Sequence, residues 1–211
     1  MRPLFLTLFG CICALVSHAQ QPEDHLEPAK GLYTDGFPDY YLKVQEVLYA
    51  GQSGRPVFRV VALPSLQLEY AVMAERRAGK CYLTYQLAQH SIWHALQAKT
   101  GEKIGVTSQV IEISDEAATA LSQLFNAAVA QTHYPKPAMT MQSDGNTYTF
   151  ITFQNGIGPQ AGETWSPLAG THMGRLVAVA ESLRKATSQQ QPLPASLLQE
   201  VVQLTATFQT K

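Results

Sequence analysis

The sequence predicts an α+β fold: one antiparallel sheet of about five strands, a meander at its centre, with helices packed on one face. Three observations carry this expectation. Between Arg55 and Ile113 short β-type segments follow one another with Gly-containing turns between them, and no helical segment of the length a parallel crossover needs intervenes. Three later stretches place apolar residues at three- and four-residue spacing, the period of a helix with one buried face. Hydrophobic residues make up 45% of 211 residues, enough for one core without disulfide staples.

The elements follow in chain order. Residues 1–19, MRPLFLTLFGCICALVSHA, carry Arg2, an apolar run from Leu4 to Val16, and small residues at Ser17 and Ala19. This is the layout of a signal peptide cleaved after Ala19, and the run is shorter than the roughly 20 residues a membrane-spanning helix needs. LFGC around Cys11 loosely matches a lipid-attachment box, but bulky Phe9 and the apolar ICALV beyond the cysteine favour simple cleavage. Residues 20–36 are polar and proline-interrupted, a flexible lead-in that leaves His25 solvated. A single domain then occupies 37–211.

Tyr41, Val44 and Leu48 stand at helical spacing after Asp39, an expected cap. PVFRVVAL and LQLEYAVMAE are strands, RAGK is a turn, and CYLTYQL alternates Cys81, Leu83, Tyr85 and Leu87 with polar neighbours. KTGE at 99–102 reads as a hairpin turn. The strand after it, KIGVTSQVIEIS, is expected to bulge near Thr107 and Ser108, and its mate places 80–97 mainly in a strand. Ser114 opens a helix with Asp115 and Glu116 in its first turn and Leu121, Leu124, Phe125 and Ala128 as its stripe. GNTYTFITFQ, 145–154, is a strand buried on both faces. A Gly-rich loop over 155–170 leads to a helix from Thr171 with Met173, Leu176, Val177, Ala180 and Leu183 inward. A last helix buries Leu197, Val201, Leu204 and Phe208.

Fifteen Lys and Arg against 16 Asp and Glu give no electrostatic reason to expect nucleic acid or an anionic membrane as partner. His90 and His94 are four apart, which suits a metal only on a helix; on a strand they stand about 13 Å apart. The strand reading, and Ser91 where a zinc-protease motif needs Glu, argue against a metal. Cys81 alternates with apolar residues, as a small buried hydrophobe does. GQSGR at 51–55 lacks the final glycine of a nucleophile elbow and enters a strand rather than a helix. No phosphate loop, dinucleotide fingerprint or Cys-x-x-Cys pair is present, and no metal or cofactor is expected.

The least ordinary segment is GETWSPLAGTHMGRL, 162–176. Trp165 lies in it among glycines and prolines, Thr171 caps a helix whose first turn holds His172, and Arg175 follows one turn in. A helix start with a nearby arginine suits a carboxylate or phosphate. Glu163, Trp165, His172 and Arg175 are therefore the expected ligand-binding residues. The chain reads as an exported protein, periplasmic or extracellular, most simply a non-catalytic binding or protein-interaction domain. Its expected partner is an exported protein or a small anionic ligand. An exported hydrolase with its site in the 155–175 loop is the competing reading.

Overall fold

The computed structural model describes residues 24–31, 37–99, 101, 103–136 and 144–210; the expected leader lies outside them. Seven strands form a single antiparallel sheet. They are β1 (Glu27–Pro28), β2 (Phe58–Pro64), β3 (Tyr70–Arg77), β4 (Lys80–Ala88), β5 (Val106–Ile113), β6 (Asn146–Gln154) and β7 (Gly158–Trp165), in the order β1-β7-β6-β2-β3-β4-β5. The meander expected from 55 to 113 is β2-β3-β4-β5. Ala78 and Gly79, both at positive φ (49° and 81°), turn β3 into β4 in the manner of a two-residue hairpin. Seven strands rather than five arise because β1 and β7 lie in stretches expected to be lead-in and loop. The pairing of β4 with β5 keeps one register from Cys81↔Ile113 to Ala88↔Val106, so the expected bulge at Thr107 and Ser108 is absent.

Three long helices pack on one face: α3 (Asp115–Ala130), α4 (His172–Ser188) and α5 (Ala195–Gln209). Ser114 caps α3 by accepting from the Ala117 N–H, and Thr171 caps α4 by accepting from the Gly174 N–H. Both oxygens take up an N–H that a helix start leaves unpaired. The helices bury Leu121, Leu124, Phe125, Met173, Leu176, Leu183, Leu197, Val201, Leu204 and Phe208 against Phe58, Val60, Val72, Leu83 and Phe150. Two shorter helices, α1 (Pro38–Leu48) and α2 (Ile92–Ala98), cover part of the opposite face through Val44, Val47, Leu48 and Ile92. Buried on both faces, the central strands carry apolar residues without strict alternation. Asp39 sits in the first turn of α1 but does not cap it; Phe37 is the N-cap residue, without a side-chain bond.

Residues 24–31 are a docked strap rather than a flexible lead-in. Leu26 is fully buried, its carbonyl accepts from the His133 N–H, and Glu27 and Pro28 pair with Glu163 and Gly162. A Cβ on Gly162 would lie 2.3 Å from Thr132 Oγ1 and 2.7 Å from Leu26 Cβ, so the strap's close approach requires glycine there. His25 stacks on His133 at a centroid separation of 3.4 Å. No helix among the described residues is long and apolar enough to cross a membrane.

Candidate functional site

The start of α4, expected to hold an anion, already holds one from the chain itself. The Asp24 carboxylate accepts from the His172 N–H at 3.0 Å and the Met173 N–H at 2.8 Å, with His172 Nδ1 3.2 Å away. The attraction of a helix N-terminus for negative charge is thus satisfied by the strap. Arg175 turns to α5, where its Nε lies 2.8 Å from Glu200 Oε1.

Glu163 and Trp165 belong to β7. Glu163 alternates with Ala161, which packs in the α1-side cluster, so its side chain lies on the face opposite α4. There it is 4% exposed, accepts from the Lys30 N–H at 3.0 Å, and stands 3.5 Å from Lys30 Nζ. Burial raises its pKa above the usual carboxylate range, and Lys30 opposes that rise. Trp165 ends the strand with its indole against Gly145. The sheet therefore separates Glu163 from His172 and Arg175, and the four expected residues do not converge on one pocket.

His90 lies in the bend after β4 and His94 in the first turn of α2. The expected strand therefore ends at Ala88. Glu69, 1% exposed, decides this: its carboxylate accepts from the Ile92 and Trp93 N–H groups at 3.0 Å each, and from Tyr40 Oη at 3.1 Å. Ser91 adds a cap through the His94 N–H. Among the described residues no group of three or more His, Cys, Asp or Glu side chains is placed to hold a metal. Cys81 is buried, and desolvation pushes its thiol pKa up, away from the thiolate a nucleophile needs.

On the helix side, Glu181 of α4 collects hydroxyls from the sheet. Tyr70 and Tyr148 both donate to its Oε1, Tyr148 at 2.9 Å, while Arg184 Nε reaches Oε2 at 2.7 Å. Burial opposes ionisation of Glu181, but the donors from Tyr70, Arg184 and Tyr148 outweigh it and lower its pKa. Burial and Glu181 push the Tyr148 hydroxyl up to about 12. This cluster holds helix to sheet with each polar group answered.

The opposite face contains polar groups that are not all answered. Arg59, Glu75, Thr84 and Gln86 are buried on neighbouring strands, in register Arg59↔Met73↔Thr84 and Ala71↔Gln86, beneath the loop that joins α1 to β2. The Arg59 guanidinium stacks on Tyr49 at 3.6 Å and donates to Ser53 O at 3.0 Å. Glu75 accepts from the Ser53 N–H at 3.2 Å and from Arg77. Arg59 Nε, Thr84 Oγ1 and Gln86 Oε1 have no partner, although buried polar atoms almost always find one. Composition alone carried no signal of this group, because its members come from three strands.

Beside it, across Tyr49, lies a cleft of about 30 Å³ lined by Ala29, Lys30, Tyr41, Val44, Thr149 and Ile151 among others. That volume suits ordered water, far below the roughly 300 Å³ of a small-molecule site.

The sheet ends differ. Gln89 N donates to Gly105 O at 2.9 Å, and the unbroken register makes Leu87/Thr107, Tyr85/Gln109 and Leu83/Ile111 the hydrogen-bonded pairs. Alternation then turns the N–H and C=O groups of Val106, Ser108, Val110 and Glu112 away from β4. No strand pairs with that edge. It carries no proline, no bulge and one charge, Glu112, which is paired with Lys80 at 2.9 Å. Comparison with protein families, with curated proteins and with solved structures returns no match.

Proposed function

We propose that this chain is an exported, non-catalytic interaction domain that receives an extended strand of a protein partner along β5. The observation that carries the reading is the open β5 edge. Four residues present outward backbone groups in perfect alternation, and Val110, 41% exposed, adds an apolar contact beside them. Natural sheets blunt such edges with Pro, Lys, bulges or covering elements, and β5 has none of these along its length. Strand addition uses main-chain bonds for affinity and alternate side chains for selectivity. The dispersal of Glu163, Trp165, His172 and Arg175 supports a non-catalytic role over a hydrolase in the 155–175 loop. The leader-like residues 1–19 support export.

The test is capture of partners from the envelope fraction of the source cells by wild type, Val110→Thr and Val110→Pro. Proline at 110 deletes one outward N–H and leaves every bond to β4 in place. A protein retained by wild type and Val110→Thr but lost by folded Val110→Pro supports the reading. Capture indifferent to proline, or an empty capture, overturns it. An N-terminus at Gln20 in the exported protein is the expected processing product.

A further inference from the structure

We propose that the space beneath the loop of residues 49–55 is a binding site for a small carboxylate carrying a hydroxyl or amino group on the adjacent carbon, with GQSGR as its cover. The proposal is independent of the β5 edge and rests on charge, unpaired atoms and the attachment of the loop.

Charge comes first. Arg59 is 6% exposed yet makes no ion pair with any described residue, because the carboxylate of Glu75 is taken by Arg77 and the Ser53 N–H. Two guanidinium groups and one carboxylate leave one positive charge in excess on a buried face. A buried charge without a counterion is costly, and a monoanion closes the balance. Arg59 Nε is the donor that lacks an acceptor, and a guanidinium edge suits a carboxylate.

The other two orphans define the rest of the ligand. Gln86 Oε1 is an acceptor without a donor, and Thr84 Oγ1 is a hydroxyl free to give or accept. A hydroxyl or amino group beside the carboxylate answers both. Arg59 and Thr84 lie two strands apart, about 9.5 Å between backbones, and Arg59, Met73 and Gln86 side chains fill part of that span, so the ligand is a compact acid.

The loop is attached as a cover would be. Its bonds to the sheet run to the polar floor itself: Ser53 O to Arg59, Ser53 N–H to Glu75, Ala50 O to Gln86 at 3.5 Å, and the Gln52 side chain to Arg77 at 3.3 Å. Gly51 and Gly54 have nothing within 4 Å of where a side chain would stand, so nothing packs on the loop from outside. A ligand that takes over the floor's bonds lifts the loop without breaking a hydrophobic contact there.

The experiment measures thermal shift and calorimetric binding of the full protein with acetate, glycolate, glycine, chloride and phosphate, for wild type, Arg59→Met, Thr84→Val and Gln86→Leu. Glycolate or glycine is expected to bind wild type and raise Tm by about 5–10 °C at a hundredfold excess over Kd. Arg59→Met is expected to lose at least tenfold in affinity, and Gln86→Leu or Thr84→Val to erase the preference for glycolate or glycine over acetate. No shift with any acid overturns the proposal, as does a preference unchanged in both floor variants. Equal response to chloride or phosphate reduces the site to a simple anion site and overturns the carboxylate assignment. Should Arg59→Met fail to fold, the preference measured in Gln86→Leu and Thr84→Val decides.

Discussion

Glu69 offers the sharpest test of how this fold is held. Its carboxylate, reached from β3, satisfies the Ile92 and Trp93 N–H groups that open α2 and the hydroxyl of Tyr40 on α1. Glu69→Ala removes all three acceptors. The Ile92 N–H is buried and stays unpaired, at a cost of about 1–3 kcal/mol. The Trp93 and Tyr40 donors are half-buried and recover part of their bonding from water, adding roughly 1 kcal/mol together. Glu69→Ala is therefore expected to destabilise by about 3 kcal/mol, or about 6–12 °C in Tm for a chain of this size. Glu69→Gln keeps one acceptor oxygen but turns an amide N–H toward a donor, and falls between wild type and alanine. Urea unfolding followed by tryptophan fluorescence reads the stability, because Trp93 packs edge-on against Phe37 and Tyr40 at 5.3 and 5.2 Å. Amide exchange reads Ile92 directly. An alanine variant within 1 kcal/mol of wild type, with Ile92 still protected, refutes the reasoning.

Other consequences are equally open to measurement. The pKa of Glu181 is lowered on folding, so its contribution is present above the unfolded value near 4.5 and is lost as pH falls through the folded one. Glu181→Gln should cost about 1–2 kcal/mol at pH 7 after allowance for its partial exposure, and nothing once both proteins are below that window, in denaturant titrations against pH. Glu163 is the opposite case: its pKa is raised, so its favourable contribution is complete at low pH and is lost as pH rises. Glu163→Gln should accordingly gain on wild type between pH 4 and pH 7 in the same titrations. Asp24→Ala uncovers two N–H groups of α4 and should cost about 1 kcal/mol, with faster amide exchange at His172 and Met173. Gly162→Ala drives a Cβ into Leu26 and Thr132 and should cost about 1–3 kcal/mol, with new proteolytic cleavage in residues 24–31.

Where a segment's own chemistry specified its state, the sequence was legible. Ser114 and its acidic first turn announce α3, the Leu197-to-Phe208 stripe announces α5, and Ala78-Gly79 falls where a hairpin was expected. The failures share a different cause, long-range satisfaction of the backbone. Helix α2 is seven residues long, too short to stand on propensity, and owes its start to a carboxylate from β3. Strand β7, GPQAGETW, lacks the β-branched residues that mark a strand and is held by pairing with β6. The strap has no periodicity and docks through Asp24, Leu26 and Lys30. The expected site failed for a topological reason: 163 and 172 are close along the chain, but the chain passes from one side of the sheet to the other between them. The polar floor escaped notice because Arg59, Glu75 and Gln86 each look like an outward strand residue until both faces are known to be covered.

The inequality of the sheet's two ends has a consequence for assembly. Pro28 offers no N–H outward from β1, and the strap that carries it is anchored at Asp24 and Lys30, so that end is a stop. An added strand at β5 consumes the one open end. Pairing there terminates: a chain joined edge to edge with another would present two blunt ends and no growing tip, which distinguishes a closed complex from the unlimited stacking that leads to fibres.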